Sequence, residues 1–156
     1  QVMNRFAVVF VAFLISPAMA DDDSVRTFHD SFFAAWNAGD ADGLIDRLTE
    51  DTIYHPMGAK TLTGREVIGG SYRAFIKSFD VHMAVSPEVL DAHGDHGVMQ
   101  GTYSSTLTPK DGRPSWSRSG RYHMDLVRGS DGAWRIAREI TQATADPTPK
   151  LSATEK

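Results

Sequence analysis

The chain has 156 residues, of which 41% are hydrophobic, 20 are acidic and 16 are basic, giving a formal net charge of −4. A mildly acidic chain without a basic run disfavours nucleic acid as the partner, because phosphate binding needs clustered lysine and arginine. The chain contains no cysteine, so disulfides and thiol chemistry are excluded.

The N-terminus has the pattern of a secretory signal peptide. A short positive start, Met3-Asn4-Arg5, precedes an apolar run from Phe6 to Ile15 and a small-residue cleavage site at Ala18-Met19-Ala20. The apolar run is too short for a permanent membrane anchor. We therefore expect residues 1–20 to be removed, leaving 136 residues as a single periplasmic or secreted domain without membrane contact.

Three helices are predicted in the first half of the mature chain. Apolar residues recur at helical spacing from Val25 to Trp36, and Gly39 supplies a left-handed stop. Asp40 is placed to cap a short second helix. The stretch Thr63-Gly64-Arg65-Glu66 reads as a capping box that opens a third helix, with Thr63 as the N-cap.

From Asp80 onward the period changes to two, and a stretch rich in β-forming residues between the second and third helices is also predicted to be a strand. The predicted strands are Thr52 to Met57, Val81 to Val85, Met99 to Leu107, Trp116 to Val127 and Trp134 to Ile140. Helices first and antiparallel strands afterwards indicate an α+β fold. The predicted domain spans residues 21–144. Periodicity ends after Thr144, so residues 145–156 are expected to form a disordered tail.

At several of these segments the chain resembles the SnoaL-like branch of the nuclear transport factor 2-like superfamily. The similar stretches are Phe33–Leu44, Leu48–Tyr54, Thr63–Ile68, Gly120–Tyr122 and Gly132–Arg138. The resemblance implies a cone-shaped, curved antiparallel sheet with three N-terminal helices packed on its concave face. It also implies a homodimer paired through the convex face, which exposed apolar residues such as Val98 and Val127 would suit. Proteins with this fold include isomerases, dehydratases, cyclases, binding modules and dimerisation domains. The resemblance therefore indicates the fold but does not select one function.

Arg138 shares its strand parity with Trp134, Ile136 and Ile140, which predicts a guanidinium on the inner face of the last strand. A cation there needs a carboxylate, with Asp125 and Glu66 as candidates, or an anionic ligand, because an unpaired buried charge is costly. The alternative is a twist or bulge that turns Arg138 towards solvent.

Three residues are candidates for acid–base catalysis: Asp125, His55 and Tyr54. Asp125 shares a strand face with His123, and that face lies inside the cone or outside it depending on the curvature of the sheet. A histidine near an apolar cavity, as His55 would be, can shuttle protons, and Tyr54 beside it can polarise a carbonyl group. The alternative for His55 is a structural role at the strand end before Pro56.

The predicted ligand-binding residues are the aromatic side chains of the helices and first strands, together with Arg138: Trp36, Tyr54, Tyr72, Phe75, Tyr103 and Arg138. His93-Gly94-Asp95-His96 reads as a hairpin turn, and no histidine pair has helical i, i+4 spacing, so no metal site is predicted. Phosphate-cradling loops and nucleophile elbows are also missing from the sequence, and no cofactor is expected.

Two functions are compatible with these residues. The first is an exported homodimeric domain that binds a small hydrophobic or aromatic molecule in an apolar, cone-shaped pocket. The second is a cofactor-free isomerase, dehydratase or cyclase in which Asp125 or His55 abstracts a proton and Tyr54 or Tyr72 donates to the developing oxyanion. A pure assembly module, with its cavity filled by side chains, is a third possibility.

Overall fold

A computed structural model describes residues 17–146 and 148–149. The helices are α1 (Pro17–Ala38), α2 (Ala41–Asp46) and α3 (Arg65–Ser78). The strands are β1 (Leu48–His55), β2 (Leu62–Thr63), β3 (Phe79–His93), β4 (His96–Pro109), β5 (Trp116–Arg128), β6 (Trp134–Ala143) and β7 (Thr148–Pro149). Residues 1–16, which hold most of the predicted signal peptide, lie outside the described residues. No helix in the described part is long and apolar enough to cross a membrane.

The strands form one sheet in the order β2-β1-β6-β5-β4-β3, with β7 paired to β5. All pairs are antiparallel except β1 with β6. This is the predicted α+β fold, a curved and unclosed sheet with three helices before its long strands. β7 lies in the segment that was predicted to be a disordered tail, since Thr148 pairs with Ser117.

The helix boundaries follow local capping chemistry, with one exception. Gly39 has φ 67° and ends α1, and the Asp40 carboxylate accepts a hydrogen bond from the Gly43 N–H at 2.9 Å, as predicted. The predicted capping box is wrong, because Thr63 belongs to β2 and pairs with Ile53. The chain turns instead at Gly64, whose φ of 92° makes it the N-cap of α3 without a side-chain hydrogen bond.

The core lies between the helices and the concave face of the sheet. Its fully buried members include Phe32, Leu44, Leu48 and Ile68 from the first half of the chain. On β5 the even-numbered residues from Gly120 to Leu126 are buried and point to this side. The concave face is therefore the even face of β5, and His123 and Asp125 lie on the convex face.

A β-bulge interrupts β6 and reverses its parity. Leu126 pairs with Ile136, but the next residue of β5, Asp125, pairs with Arg138, so Ala137 is an extra residue. Such a bulge leaves one residue unpaired and re-aims those after it. The prediction that Arg138 points inwards is therefore wrong, because its side chain is 51% exposed on the convex face. Glu139 takes the inward position and is 3% exposed.

Candidate functional site

The concave face and the helices enclose a cavity of about 270 Å³. Its wall is mainly aromatic and apolar, with a few polar groups. The lining residues include Phe32, Phe33 and Trp36 of α1, Tyr72 and Phe75 of α3, Tyr54 of β1, and Tyr103, Arg118, Tyr122, Met124, Glu139 and Thr141 of the later strands. An apolar pocket with a few convergent polar groups is the usual form of a small-molecule site.

Glu139 is the most unusual group on this wall. The bulge at Ala137 brings its carboxyl into the interior, where the Tyr72 hydroxyl donates a hydrogen bond to Oε2 at 2.5 Å. Burial raises the pKa of Glu139 from its ordinary value of 4.5 to about 7, and the hydrogen bond from Tyr72 offsets part of that rise. A carboxyl group with a pKa near neutrality can both accept and return a proton at physiological pH.

Two further phenols line the cavity near this carboxyl. Burial raises the pKa of Tyr54 and of Tyr103, so both hydroxyls are neutral donors at physiological pH. The Tyr54 hydroxyl lies 3.4 Å from Thr141 Oγ1, which is a long contact. Since Tyr72 donates to Glu139, Tyr54 and Tyr103 are the other two phenols of this group that can donate to a ligand oxygen.

Tyr122 is held by a hydrogen-bonded pair on α1. His29, 1% exposed, lies 2.8 Å from the Tyr122 hydroxyl through Nε2 and 2.8 Å from Asp30 Oδ1 through Nδ1. A carboxylate only accepts, so Nδ1 donates to Asp30, and in the tautomer with an unprotonated Nε2 the ring accepts the Tyr122 hydrogen there. The Tyr122 oxygen therefore offers lone pairs to the cavity.

Two glycines make room for the strand tyrosines. In the register of β4 and β5, Gly101 is opposite Tyr122 and Gly120 is opposite Tyr103. A Cβ on Gly101 would lie 2.6 Å from the Tyr122 hydroxyl, and one on Gly120 would lie 2.7 Å from the Tyr103 ring. Each ring thus lies across a glycine of the neighbouring strand, which directs it over the cavity wall.

Five of the six predicted ligand-binding residues lie on the cavity wall: Trp36, Tyr54, Tyr72, Phe75 and Tyr103. The sixth, Arg138, lies on the convex face, 3.9 Å from Asp125. Asp125 is therefore near Arg138, as predicted, but the two side chains form a solvent-exposed ion pair. The other predicted partner, Glu66, is exposed on α3.

The three predicted catalytic residues do not converge. Tyr54 lines the cavity, whereas Asp125 faces away from it and lies 3.0 Å from His123 Nε2. His55 Nδ1 lies 2.9 Å from the Thr61 hydroxyl and is not among the lining residues, which fits the structural alternative. Asp125 cannot reach a ligand in this cavity, because the sheet separates the two.

The sequence patterns did not predict four polar residues of the site: His29, Arg118, Tyr122 and Glu139. His29 had a usable signal, since a polar residue sits between Phe28 and Phe32 on the apolar face of a helix. Glu139 had no such signal, because in a strand without a bulge its side chain would point to the convex face. Among the described residues, no cluster of three or more His, Asp or Glu side chains could hold a metal ion.

The fold and the cavity define a small α+β protein with a few polar groups on the wall of an apolar cavity between its sheet and its helices. Residues 29–139 match the family model described as SnoaL-like domain, and the chain belongs to this family.

Similar solved structures have the same fold at low sequence identity. A ketosteroid isomerase-like protein from Erwinia carotovora atroseptica has a TM-score of 0.73 at 16% identity, covering 81% of this chain and 98% of the other. A candidate dehydratase of the NTF2-like family from Streptomyces avermitilis has a TM-score of 0.70 at 16% identity, covering 82% and 99%.

One curated relative, Tricorn protease homolog 1 of Streptomyces coelicolor, is 28% identical over 127 residues. The match covers 81% of this chain but spans only 9% of the length of that protein.

Proposed function

We propose that the cavity binds a small hydrophobic or aromatic molecule bearing a carbonyl group and that Glu139 transfers a proton on it without a cofactor. The observation that carries this proposal is a buried carboxyl with a pKa of about 7 on the wall of an open apolar cavity. Buried ionisable groups with strongly shifted pKa values in a cleft are candidates for catalysis. A closed assembly module would have no such cavity.

The cavity limits the size of the molecule. An apolar cavity of about 150 Å³ holds benzene, so about 270 Å³ suits one ring with short substituents. The aromatic wall from Trp36, Tyr72 and Phe75 would pack against such a ring.

The chemistry follows from the positions of the donors. Glu139, whose pKa lies near neutral pH, takes a proton in its ionised form from the carbon beside the carbonyl, and the electron pair of that C–H bond moves towards the carbonyl oxygen. The Tyr54 hydroxyl donates to the enolate oxygen, as preorganised donors do where charge develops. Protonated Glu139 then returns the proton to another carbon, which isomerises the molecule, or to a leaving hydroxyl, which dehydrates it. Tyr72 holds the carboxyl in place throughout.

Hydrogen exchange tests this without knowledge of the natural substrate. Phenylacetone in D₂O should lose its C–H signals beside the carbonyl faster with the protein than without it, as followed by proton NMR. Glu139→Gln should reduce the protein-dependent rate by about 10²-fold or more, the usual contribution of a general base. Asp125→Asn, which removes a carboxyl from the convex face, is the matched control and should retain the rate.

Equal exchange with the native protein and Glu139→Gln would refute the proton transfer. If phenylacetone still perturbed the Trp36 indole signal in that case, the cavity would be a binding site only. Such a result would favour the small-molecule binding function.

Export and homodimer formation are further parts of the proposal. The signal pattern of residues 1–20 supports export. Val98 and Val127 on the convex face are partly buried and Ile140 there is 39% exposed, which supports pairing of two convex faces.

A further inference from the structure

Arg118 is a cation on the cavity wall, and the described part of the chain supplies no counter-ion to it. No carboxylate in residues 17–146 pairs with it within 4.0 Å, and its Nε is buried without a hydrogen-bond partner. Its guanidinium lies 5.6 Å from the centre of the Phe75 ring and 5.9 Å from that of Trp116. These rings stabilise the cation in place but leave its buried Nε–H without an acceptor among the described residues.

The neighbouring strand carries a second buried donor without a partner in residues 17–146, on the same face of the sheet. Ser105 of β4 pairs with Arg118 of β5, and both side chains point to the concave face. Ser105 is 2% exposed, and its hydroxyl also has no hydrogen-bond partner in the described chain. Opposite residues have Cβ atoms about 5 Å apart. A buried donor without a partner is costly, so two neighbouring ones indicate a group that completes them.

Glu139 does not supply that group. It pairs with Met124, six positions along β5 from Arg118, and within residues 17–146 no ion pair joins its carboxyl to the guanidinium. Both groups line the same cavity, and the charges of both act on the hydroxyls of Tyr54 and Tyr103, but burial, not Arg118, governs the pKa of Glu139.

We propose that Arg118, assisted by Ser105, binds a carboxylate of the ligand, so that the molecule processed in this cavity is an aromatic or hydrophobic keto acid or related monoanion. One guanidinium and one hydroxyl match the single charge and planar shape of a carboxylate better than a phosphate dianion. The ligand then has its carboxylate at Arg118 and its reacting carbon at Glu139. This inference rests on the proposed function for its reacting end, but its anion site is tested by binding alone.

The test compares two ligands of nearly equal shape, 4-acetylbenzoate and neutral 4-acetylbenzamide, by calorimetry at pH 8. The native protein should bind the carboxylate roughly tenfold to a hundredfold more tightly, as expected for a hydrogen bond to a charged group. Arg118→Gln should abolish the preference and Ser105→Ala should reduce it. Arg138→Gln removes the same charge from the convex face, so it is the matched control and should retain the preference.

Equal affinity of the native protein for both ligands would overturn the inference, as would a preference that survives in Arg118→Gln. If that variant does not fold, the Arg118 Nε–H signal of the native protein decides in its place. The signal must shift with 4-acetylbenzoate and not with 4-acetylbenzamide. Glu139→Gln should retain the carboxylate preference even if hydrogen exchange is lost, so failure of the anion site and failure of the proton transfer are distinguishable.

Discussion

The buried carboxyl of Glu139 should make the protein less stable as pH rises through the acidic range. In the unfolded chain this group ionises near its ordinary pKa of 4.5, whereas in the folded chain it ionises at about 7. Between these values the folded state binds more protons, so the free energy of unfolding falls with rising pH. The effect is absent below about 4.5 and complete above about 7.

The size of the effect follows from the two pKa values. Each tenfold change in proton affinity corresponds to about 1.4 kcal/mol, so the interval from 4.5 to about 7 corresponds to about 3 kcal/mol. This is a sizeable part of the total stability of a typical domain, which is about 5–15 kcal/mol. Glu139→Gln keeps the shape of the side chain but does not ionise. Its stability should therefore lack this decrease.

Urea denaturation of the native protein and of Glu139→Gln at intervals from pH 4 to pH 8 measures the difference. The gap between the two unfolding free energies should change by about 3 kcal/mol across that range, in favour of the variant at high pH. Asp125→Asn should follow the native protein, because Asp125 lies 41% exposed on the convex face. Parallel curves for the native protein and Glu139→Gln would refute the assignment of a raised pKa to this carboxyl.

Three other outcomes follow from the same structure. Tyr72→Phe removes a hydrogen bond that lowers the pKa of Glu139, so the carboxyl carbon should titrate above about 7 in NMR, and an unchanged midpoint would contradict this. Gly120→Ala should cost about 1–3 kcal/mol in chemical denaturation, because its Cβ would lie 2.3 Å from the Gln142 carbonyl oxygen. Gly70→Ala meets no atom within 4 Å and is its control. Light scattering tests the proposed homodimer: a dimer mass is expected, and a monomer mass at micromolar concentration would exclude it.

Local patterns predicted most of the fold, because they reflect short-range chemistry. The Gly39 stop and the Asp40 cap depend on a backbone angle and a hydrogen bond within a few residues. The aromatic side chains predicted to line a cavity do so, since helical spacing from Trp36 and from Tyr72 fixed which faces turn inwards. The wrong prediction of a capping box shows that local patterns fail where a contact between separate strands determines the structure. The pairing of Thr63 with Ile53, a residue of another strand, determined the start of α3.

The polar part of the site was not predictable from periodicity. One extra residue, Ala137, exchanges the directions of Arg138 and Glu139. The alternation of a regular strand therefore predicted the solvent-exposed Arg138 as a ligand-binding residue and assigned the buried carboxyl of Glu139 to the opposite face. Bulges recur next to active sites because they re-aim side chains, so the irregularity that defeated the sequence pattern is also the feature that creates the candidate site.

Arg138 provides a test of that parity reversal by energetics. On the inner face, breaking its ion pair would leave a buried charge at a cost of about 3–5 kcal/mol. On the convex face, the Asp125 carboxylate lies 3.9 Å away and both side chains are exposed to solvent, 51% and 41% respectively. Exposed pairs contribute about 0–1 kcal/mol. A double-mutant cycle of Arg138→Met and Asp125→Asn in urea denaturation should therefore give a coupling energy below about 1 kcal/mol. A coupling of about 3 kcal/mol or more would place the guanidinium in the interior and refute the bulge at Ala137.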